Sequence, residues 1–163
     1  MTFASVLLCS AVVVSPERVL VSFVRTPNAP AVINLSDPSS TSMIGFQVDS
    51  ENSIKLLNEN CSWGYEMIRF QIMNPSGEVS EIKRKDRPWF KNVPSPMLVQ
   101  PGETVMRQVK LHDGSWVGFP AGIAGQTNGW KIRAVLEIKN EFPLTNYGIW
   151  FGSAQSAWMP ASW

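Results

Sequence analysis

Residue types that commonly carry out catalysis are scarce in this chain. His112 is the single histidine and stands in Leu111-His112-Asp113-Gly114, a pattern that predicts a turn. As a general base it would need a nucleophile and an orienting carboxylate within hydrogen-bond reach. The serine in residues 114–118 stands one place too early for the G-x-S-x-G nucleophile elbow. We therefore interpret His112 as an exposed turn residue, with a hydrolase built on it as an alternative.

Phosphate and metal chemistry also lack their usual patterns. The glycine-rich residues 118–122 are not followed by the Gly-Lys-Ser/Thr of a phosphate loop. Glu78 and Glu81, three apart on a predicted strand, would face opposite sides of the sheet. Two cysteines and one histidine are too few for a four-ligand zinc site. The sequence thus predicts no catalytic residue, no metal and no cofactor, and a protein that is not an enzyme.

Tryptophan is the outstanding feature of the composition. The chain has seven, where about two would be expected at this length. Trp150 and Trp158 are separated by small residues and would share one face of a single strand. Such a pair has three interpretations: core packing, a platform for the sugar rings of a polysaccharide, or a protein interface. Trp130 heads the apolar face of another predicted strand and is expected in the core.

Residues 83–100 and 112–129 lack alternation and are predicted to be long loops. Such loops often bind a partner, or they cover the edge of a sheet. Their aromatic residues are the predicted anchors for a partner: Trp89, Phe90, Trp116 and Phe119. The first loop also carries several basic residues, a mixture that can hold single-stranded nucleic acid. Because one such loop on a near-neutral chain is usually a solvated segment, we predict no nucleic-acid binding.

The length and charge of the chain limit the remaining classes. Its 163 residues, 44% hydrophobic and 17% charged, suit one domain with a substantial core. Fourteen Lys and Arg against thirteen Asp and Glu leave a net charge of +1. That balance gives no broad electrostatic attraction for nucleic acid or an anionic membrane. We predict a single β-sandwich domain over residues 16–163.

The apolar residues 3–14 form a run that is too short to span a bilayer. Residues 1–15 are either a signal-like segment, with Cys9-Ser10-Ala11 resembling a cleavage site, or the first strand of the domain. If the segment stays, Cys9 and Cys61 could pair; if it is removed, Cys61 is a free thiol. We expect no membrane span and an extracytoplasmic location.

Alternation of apolar and polar residues predicts the fold class. In residues 130–139 the even positions are apolar and most odd positions are charged, as in a strand with one buried face. No window of eleven or more residues carries a clean helical stripe. Asn74-Pro75-Ser76-Gly77 predicts a type I turn, and Gln100-Pro101-Gly102-Glu103 predicts a type II turn. Strands are predicted at 18–25, 54–58, 65–73, 78–83, 103–111, 130–139 and 148–158.

Together these segments resemble a known architecture. The motifs that carry the resemblance are the strand and turn of residues 68–77, Arg87-Pro88-Trp89-Phe90-Lys91-Asn92, residues 98–104, and Leu111-His112-Asp113-Gly114-Ser115-Trp116. They are similar to the immunoglobulin-like β-sandwich modules of bacterial extracytoplasmic proteins and, more distantly, to the small proteinase-inhibitor family known as BsuPI. The resemblance covers roughly residues 54–158 and implies an all-β, immunoglobulin-like antiparallel β-sandwich. It implies binding and supplies no catalytic residue.

The sequence therefore predicts a non-catalytic interaction module that binds a protein or a polysaccharide. The predicted contact residues are Trp89, Phe90, Trp116, Phe119, Trp150 and Trp158. Two alternatives stay open at this point. A carbohydrate-binding module requires Trp150 and Trp158 to be exposed and coplanar, and a proteinase inhibitor requires one protruding loop that blocks a protease.

Overall fold

A computed structural model describes residues 17–24, 32–35, 37, 41–90, 92–120 and 128–162. These residues form twelve strands, one short α-helix and one 3-10 helix. The strands are β1 Arg18–Val24, β2 Ile33–Asn34, β3 Ser42–Asp49, β4 Ile54–Leu57, β5 Ile68–Met73, β6 Val79–Arg84, β7 Pro96–Val99, β8 Thr104–Val109, β9 Trp116–Val117, β10 Trp130–Ile138, β11 Gly152–Gln155 and β12 Met159–Ser162. The α-helix, α1, covers Ser62–Glu66, and the 3-10 helix covers Leu144–Tyr147.

The strands form one large sheet, one small sheet and a separate pair. The large sheet has the order β2-β12-β10-β5-β6-β9, and β11 pairs with β10 as well. The small sheet has the order β1-β3-β8, and β4 pairs with β7. The prediction of a β-rich fold is confirmed, and the large sheet curls into a half-barrel.

The prediction of purely antiparallel sheets is wrong at one edge. β2 and β12 run parallel, with Ile33 opposite Ala161, and the N–H of Leu35 donates to the carbonyl of Ser162 at 2.7 Å. Only strands joined by a tight hairpin are required to be antiparallel. β2 and β12 are separated by most of the chain, so local turn patterns cannot fix their direction. The sheets therefore do not form a clear immunoglobulin sandwich.

Most of the predicted strands are present. The predictions at 18–25, 54–58, 78–83, 103–111 and 130–139 correspond to β1, β4, β6, β8 and β10. The prediction at 65–73 starts too early, because residues 62–66 form α1. β3 was not predicted, although it is the central strand of the small sheet. Gly45 interrupts its pattern, and a Cβ at Gly45 would lie only 2.9 Å from Val24 Cγ2 on the neighbouring strand.

Both predicted turns are confirmed. The N–H of Gly77 donates to the carbonyl of Asn74 at 3.0 Å, which closes the turn between β5 and β6. The N–H of Glu103 donates to the carbonyl of Gln100 at 3.0 Å, between β7 and β8. Gly102 has φ +73°, as the third residue of a type II turn requires.

The prediction of one continuous strand over 148–158 is wrong, because β11 begins only at Gly152 and a β-bulge separates it from β12. Val135 of β10 lies opposite Gln155, whereas Ile132 lies opposite Met159. Between these pairs β10 has two residues and the other chain segment has three, so residues 156–158 contain one extra residue. The hydroxyl of Ser156 accepts the N–H of Ala134 at 3.0 Å and replaces a ladder hydrogen bond.

The core lies between the apolar faces of the two sheets. The largest fully buried side chains include Phe46 of β3, Phe70 of β5 and Leu136 of β10. Trp130 is buried, as its position in the alternating pattern predicts. The outer strands of the large sheet, β2 and β9, have only two residues each, which limits their use as templates for aggregation.

The amino-terminal prediction falls outside the described residues. Residues 1–15 and Cys9 therefore receive no structural account, and the Cys9–Cys61 pairing stays a prediction. Cys61 is buried beside α1, where its thiol donates to the carbonyl of Asn58 at 3.4 Å. Among the helices that the described ranges contain, none is long and apolar enough to cross a bilayer.

Candidate functional site

The six aromatic residues predicted to bind a partner do not form one surface. Phe90 is 91% exposed, whereas Trp116 and Trp150 are only 5% and 9% exposed. The remaining three are half-buried: Trp89, Phe119 and Trp158. Phe90 is thus the side chain in this set that offers most of its surface to a partner.

Trp116 and Trp150 stabilise the core. The Trp116 ring packs edge-on against Phe70, with ring centroids 5.1 Å apart. The indole N–H of Trp150 donates to the carbonyl of Glu17 at 3.3 Å, and its backbone N–H donates to the carbonyl of Lys55 at 2.8 Å. These contacts fix the strand pair β4–β7 and the start of β1 against the rest of the fold.

Trp150 and Trp158 do not share a face. Trp150 precedes β11 and points into the core, whereas the extra residue of the bulge turns Trp158 toward the other side of the sheet. There the guanidinium of Arg133 lies 4.5 Å from the centre of the Trp158 ring. A flat platform made of these two indoles is therefore not formed.

His112 lies in an exposed turn, as predicted. Its ring stacks on Phe119, with the centroids 5.5 Å apart and the planes tilted by 17°. The carboxylate of Asp113 accepts the backbone N–H of Ser115 at 2.8 Å and is also hydrogen-bonded by the Ser115 hydroxyl. This carboxylate thus closes the turn through Ser115. Within the described residues no three His, Cys, Asp or Glu side chains are arranged to hold a metal ion.

Arginine and aromatic side chains alternate where β6 leads into the first long loop. Arg84, the last residue of β6, has a side chain that is only 12% exposed. Its guanidinium lies 4.2 Å from the centre of the Trp116 ring and 5.1 Å from that of Tyr65. It also donates to the Ser115 hydroxyl at 2.8 Å and to a carboxylate oxygen of Glu59 at 3.2 Å.

The stack continues from Tyr65 into the loop. The guanidinium of Arg87 lies 4.1 Å from the Tyr65 ring centre and 4.0 Å from the Trp89 ring centre. Tyr65 and Trp89 also meet edge to face at 5.6 Å. The Tyr65 hydroxyl donates to the carbonyl of Lys85 at 3.2 Å. We call the five residues Trp116, Arg84, Tyr65, Arg87 and Trp89 the aromatic–arginine stack.

The stack holds a loop with an apolar tip. We call residues 85–90 and 92–95 the Phe90 loop. Phe90 follows the anchored Trp89 directly, and Val93 on the same loop is 58% exposed. The far end of the loop is also fixed, because Asn92 accepts the N–H of Ser62 at 2.9 Å and the N–H of Asn58 donates to the carbonyl of Ser95 at 2.8 Å.

A groove of about 370 Å³ lies beside the base of the Phe90 loop. The side chains that line it come from α1, β5, β6, the Phe90 loop, the end of β10 and the residues around the start of the 3-10 helix. They include Trp63, Glu66, Arg69, Asp86, Lys139 and Glu141. Arg69 pairs with Glu81 at 3.2 Å and with Glu137, so a three-residue ion cluster forms the floor.

The sequence indicates the aromatic residues of the loop but not the residues that position them. Tyr65 and Trp63 were not predicted as site residues, because they lie on a short helix with no contact visible in the local pattern. One signal was present: Arg84 shares the inward face of β6 with buried Ile82, two residues before it. A charged residue at an inward position requires partners, since unpaired charges are rarely buried.

Comparison with known proteins gives no relative for this chain. No protein-family model matches it, and neither characterised sequences nor solved structures show a significant similarity.

Proposed function

We propose that this protein is a non-catalytic interaction module that binds a partner protein through the Phe90 loop. The observation that carries the proposal is the 91% exposure of Phe90 next to a loop anchored by the aromatic–arginine stack. A phenylalanine in contact with water on nearly its whole surface gives up favourable burial energy, about 25 cal/mol per Å² of apolar area. Docking into an apolar pocket recovers that energy.

Anchoring of the loop raises the affinity that one aromatic side chain can provide. A mobile loop loses conformational entropy when it is ordered in a complex, about 1–2 kcal/mol for each residue fixed. The contacts of Arg87 with Tyr65 and Trp89 fix the loop before binding. Preorganisation of this kind increases affinity without adding contacts.

The charges of the loop define the chemistry of the partner. Lys85 and Arg87, which precede Phe90 in the loop, are positively charged, and Asp86 between them is negatively charged. The fitting partner is a protein surface with an apolar pocket for the Phe90 ring and carboxylates at its rim. Complementary charge of this sort speeds encounter and selects between partners.

The wider proposal places this loop at one end of an immunoglobulin-like module located outside the cytoplasm. Its support is the resemblance of residues 54–158 to extracytoplasmic modules, together with the β-rich fold. In such modules the end loops, positioned by rigid sheets, commonly carry recognition.

A selection experiment tests the proposal. A displayed library of random peptides is panned on the whole protein and, in parallel, on Phe90→Ser. We expect the parent protein to enrich peptides that combine aliphatic or aromatic residues with Asp and Glu, and Phe90→Ser to lose them. Val79→Ser is the matched control, because Val79 is 46% exposed but lies at the other end of β6. Recovery of the same peptides by Phe90→Ser would contradict the proposal.

The anchored loop also favours a second candidate, a proteinase inhibitor. A fixed loop that presents one exposed phenylalanine has the form needed to occupy the apolar specificity pocket of a protease. This candidate predicts inhibition at a one-to-one ratio by the parent protein and its loss in Phe90→Ser. The test uses a panel of proteases that includes enzymes cleaving after aromatic residues. If every protease keeps full activity, the inhibitor candidate is rejected and the first proposal is unaffected.

A further inference from the structure

The groove beside the Phe90 loop carries an excess of negative charge. In its floor, the single guanidinium of Arg69 faces the two carboxylates of Glu81 and Glu137, which leaves one negative charge. Arg84 also lines the groove, and its partner Glu59 is shared with Arg107, so this second ion cluster keeps one positive charge. The charges of these two ion clusters therefore balance.

The excess of one negative charge comes from the rim of the groove. Three carboxylates line the groove without an ion pair or a side-chain hydrogen bond to any described residue: Glu66, Asp86 and Glu141. The ammonium groups of Lys83 and Lys139 also line the groove, and they too have no ion pair or side-chain hydrogen bond to a described residue. A cation entering the groove thus meets a net attraction, and the partly enclosed walls strengthen it relative to a flat surface.

An indole forms part of the same wall. Trp63 lies on α1, is half-buried and lines the groove next to the carboxylates. Tryptophan is the aromatic side chain that attracts cations most strongly, within about 6 Å of its ring centre. The carboxylates and the indole together favour a ligand that is both cationic and flat.

We propose that this groove binds the guanidinium group of an arginine side chain on a partner protein. A guanidinium can stack on the indole of Trp63 while its N–H groups donate in parallel to a carboxylate such as Asp86 or Glu141. An ammonium group is compact and strongly hydrated, so it stacks less well on the indole and does not donate two parallel hydrogen bonds to one carboxylate. The protein already places arginines against aromatic rings in its own stack.

The volume of the groove agrees with this ligand. Its approximately 370 Å³ falls at the small end of ligand pockets, which usually hold about 300–1,000 Å³. One long side chain fits within such a space. The groove is a second site and does not depend on docking of Phe90.

Titration with a small arginine derivative tests the inference on the whole protein. The probe is Nα-acetyl-L-argininamide, in which the guanidinium is the only charge, and the readout is the indole N–H signal of Trp63, assigned with Trp63→Phe. We expect a saturable shift with a dissociation constant of about 1–10 mM, as for a weak fragment, and weakening at high salt. Nα-acetyl-L-citrullinamide has nearly the same shape without the charge and is expected not to bind.

Variants separate this site from the Phe90 loop. Asp86→Asn and Glu141→Gln are each expected to weaken the probe at least threefold, while Glu51→Gln, an exposed carboxylate that does not line the groove, leaves its affinity unchanged. Phe90→Ser is expected to bind the probe normally. Absence of peptide binding would therefore count against the proposed function, and absence of probe binding would count against the groove as an arginine site. Equal binding of the citrulline probe, equal or tighter binding of Nα-acetyl-L-lysinamide, or an unshifted Trp63 signal at 50 mM probe would overturn the inference.

Discussion

The guanidinium of Arg84 lies 4.2 Å from the centre of the Trp116 ring, at the place where β6 pairs with β9. This contact joins the core, through Trp116 and Phe70, to the loop that carries Phe90. Arg84 is almost buried, yet Glu59, Ser115 and two aromatic rings surround its charge. A residue that sequence patterns place on a solvated basic run is therefore the link between the fold and the proposed binding surface.

Replacement of Arg84 tests that link. Arg84→Leu is expected to lower the free energy of unfolding by about 2–3 kcal/mol, because the stacking and the paired hydrogen bonds are lost together. Arg84→Lys keeps the charge but loses the planar fork, and about half of that decrease is expected. Urea unfolding measures both. Arg18→Lys, an exposed position on β1, is the control and should change stability by less than about 0.5 kcal/mol.

The β-bulge depends on one hydroxyl. Ser156→Ala removes the acceptor of the Ala134 N–H and the donor to the carbonyl of Ala157. Since Ser156 is buried, the unsatisfied N–H is expected to lower the free energy of unfolding by about 1–2 kcal/mol. Ser153→Ala, on the exposed face of β11, provides the comparison in the same urea experiment. Equal stability of the two variants would mean that the hydroxyl does not support the bulge.

The close approach of β9 to β6 requires a glycine. A Cβ at Gly118 would lie 2.2 Å from the carbonyl oxygen of Glu81, and φ is +94°. Gly114 has a similar φ of +81° but open space around it. Gly114→Ala is therefore expected to lose about 1 kcal/mol from the backbone alone, and Gly118→Ala about 3 kcal/mol or more. Thermal unfolding compares the two, and an equal loss would show that the contact with Glu81 is absent.

Anchoring of the Phe90 loop can be measured without a partner. Arg87→Ala removes the cation between Tyr65 and Trp89 and should speed amide hydrogen exchange in residues 86–95 by several-fold. The rest of the protein should exchange as before, because Arg87 is exposed and lies outside the core. Lys110→Ala, also exposed, is the control. Unchanged exchange in Arg87→Ala would show that the stack does not hold the loop.

Local patterns in the sequence predict the strands of this fold better than their arrangement. Alternation gives β10 almost to the residue, and the Pro-Gly turns give the connections between β5 and β6 and between β7 and β8. The direction of β2 against β12 is not local, because the two strands meet from distant parts of the chain. The bulge at Ser156 is not visible either, since one extra residue leaves no mark on composition.

For the candidate site too, local patterns predict individual residues better than their arrangement. The sequence marks Trp89 and Phe90 as a pair of aromatic residues, but only the tertiary position of Tyr65 decides that Trp89 is anchored and Phe90 exposed. Trp116 was expected to contact a partner because it is an aromatic residue of a predicted loop, and Trp150 because it would share a strand face with Trp158. Trp116 and Trp150 are buried because strand pairing and the β4–β7 pair bring other elements over them.

The most direct test of the central claim measures binding and stability of one variant, Phe90→Ser, together. Isothermal calorimetry with a peptide from the library gives the dissociation constant, and urea unfolding gives the stability. Because Phe90 is 91% exposed, we predict at least tenfold weaker binding with a change in unfolding free energy below about 0.5 kcal/mol. An unchanged dissociation constant would contradict the claim that this protein recognises its partner through Phe90.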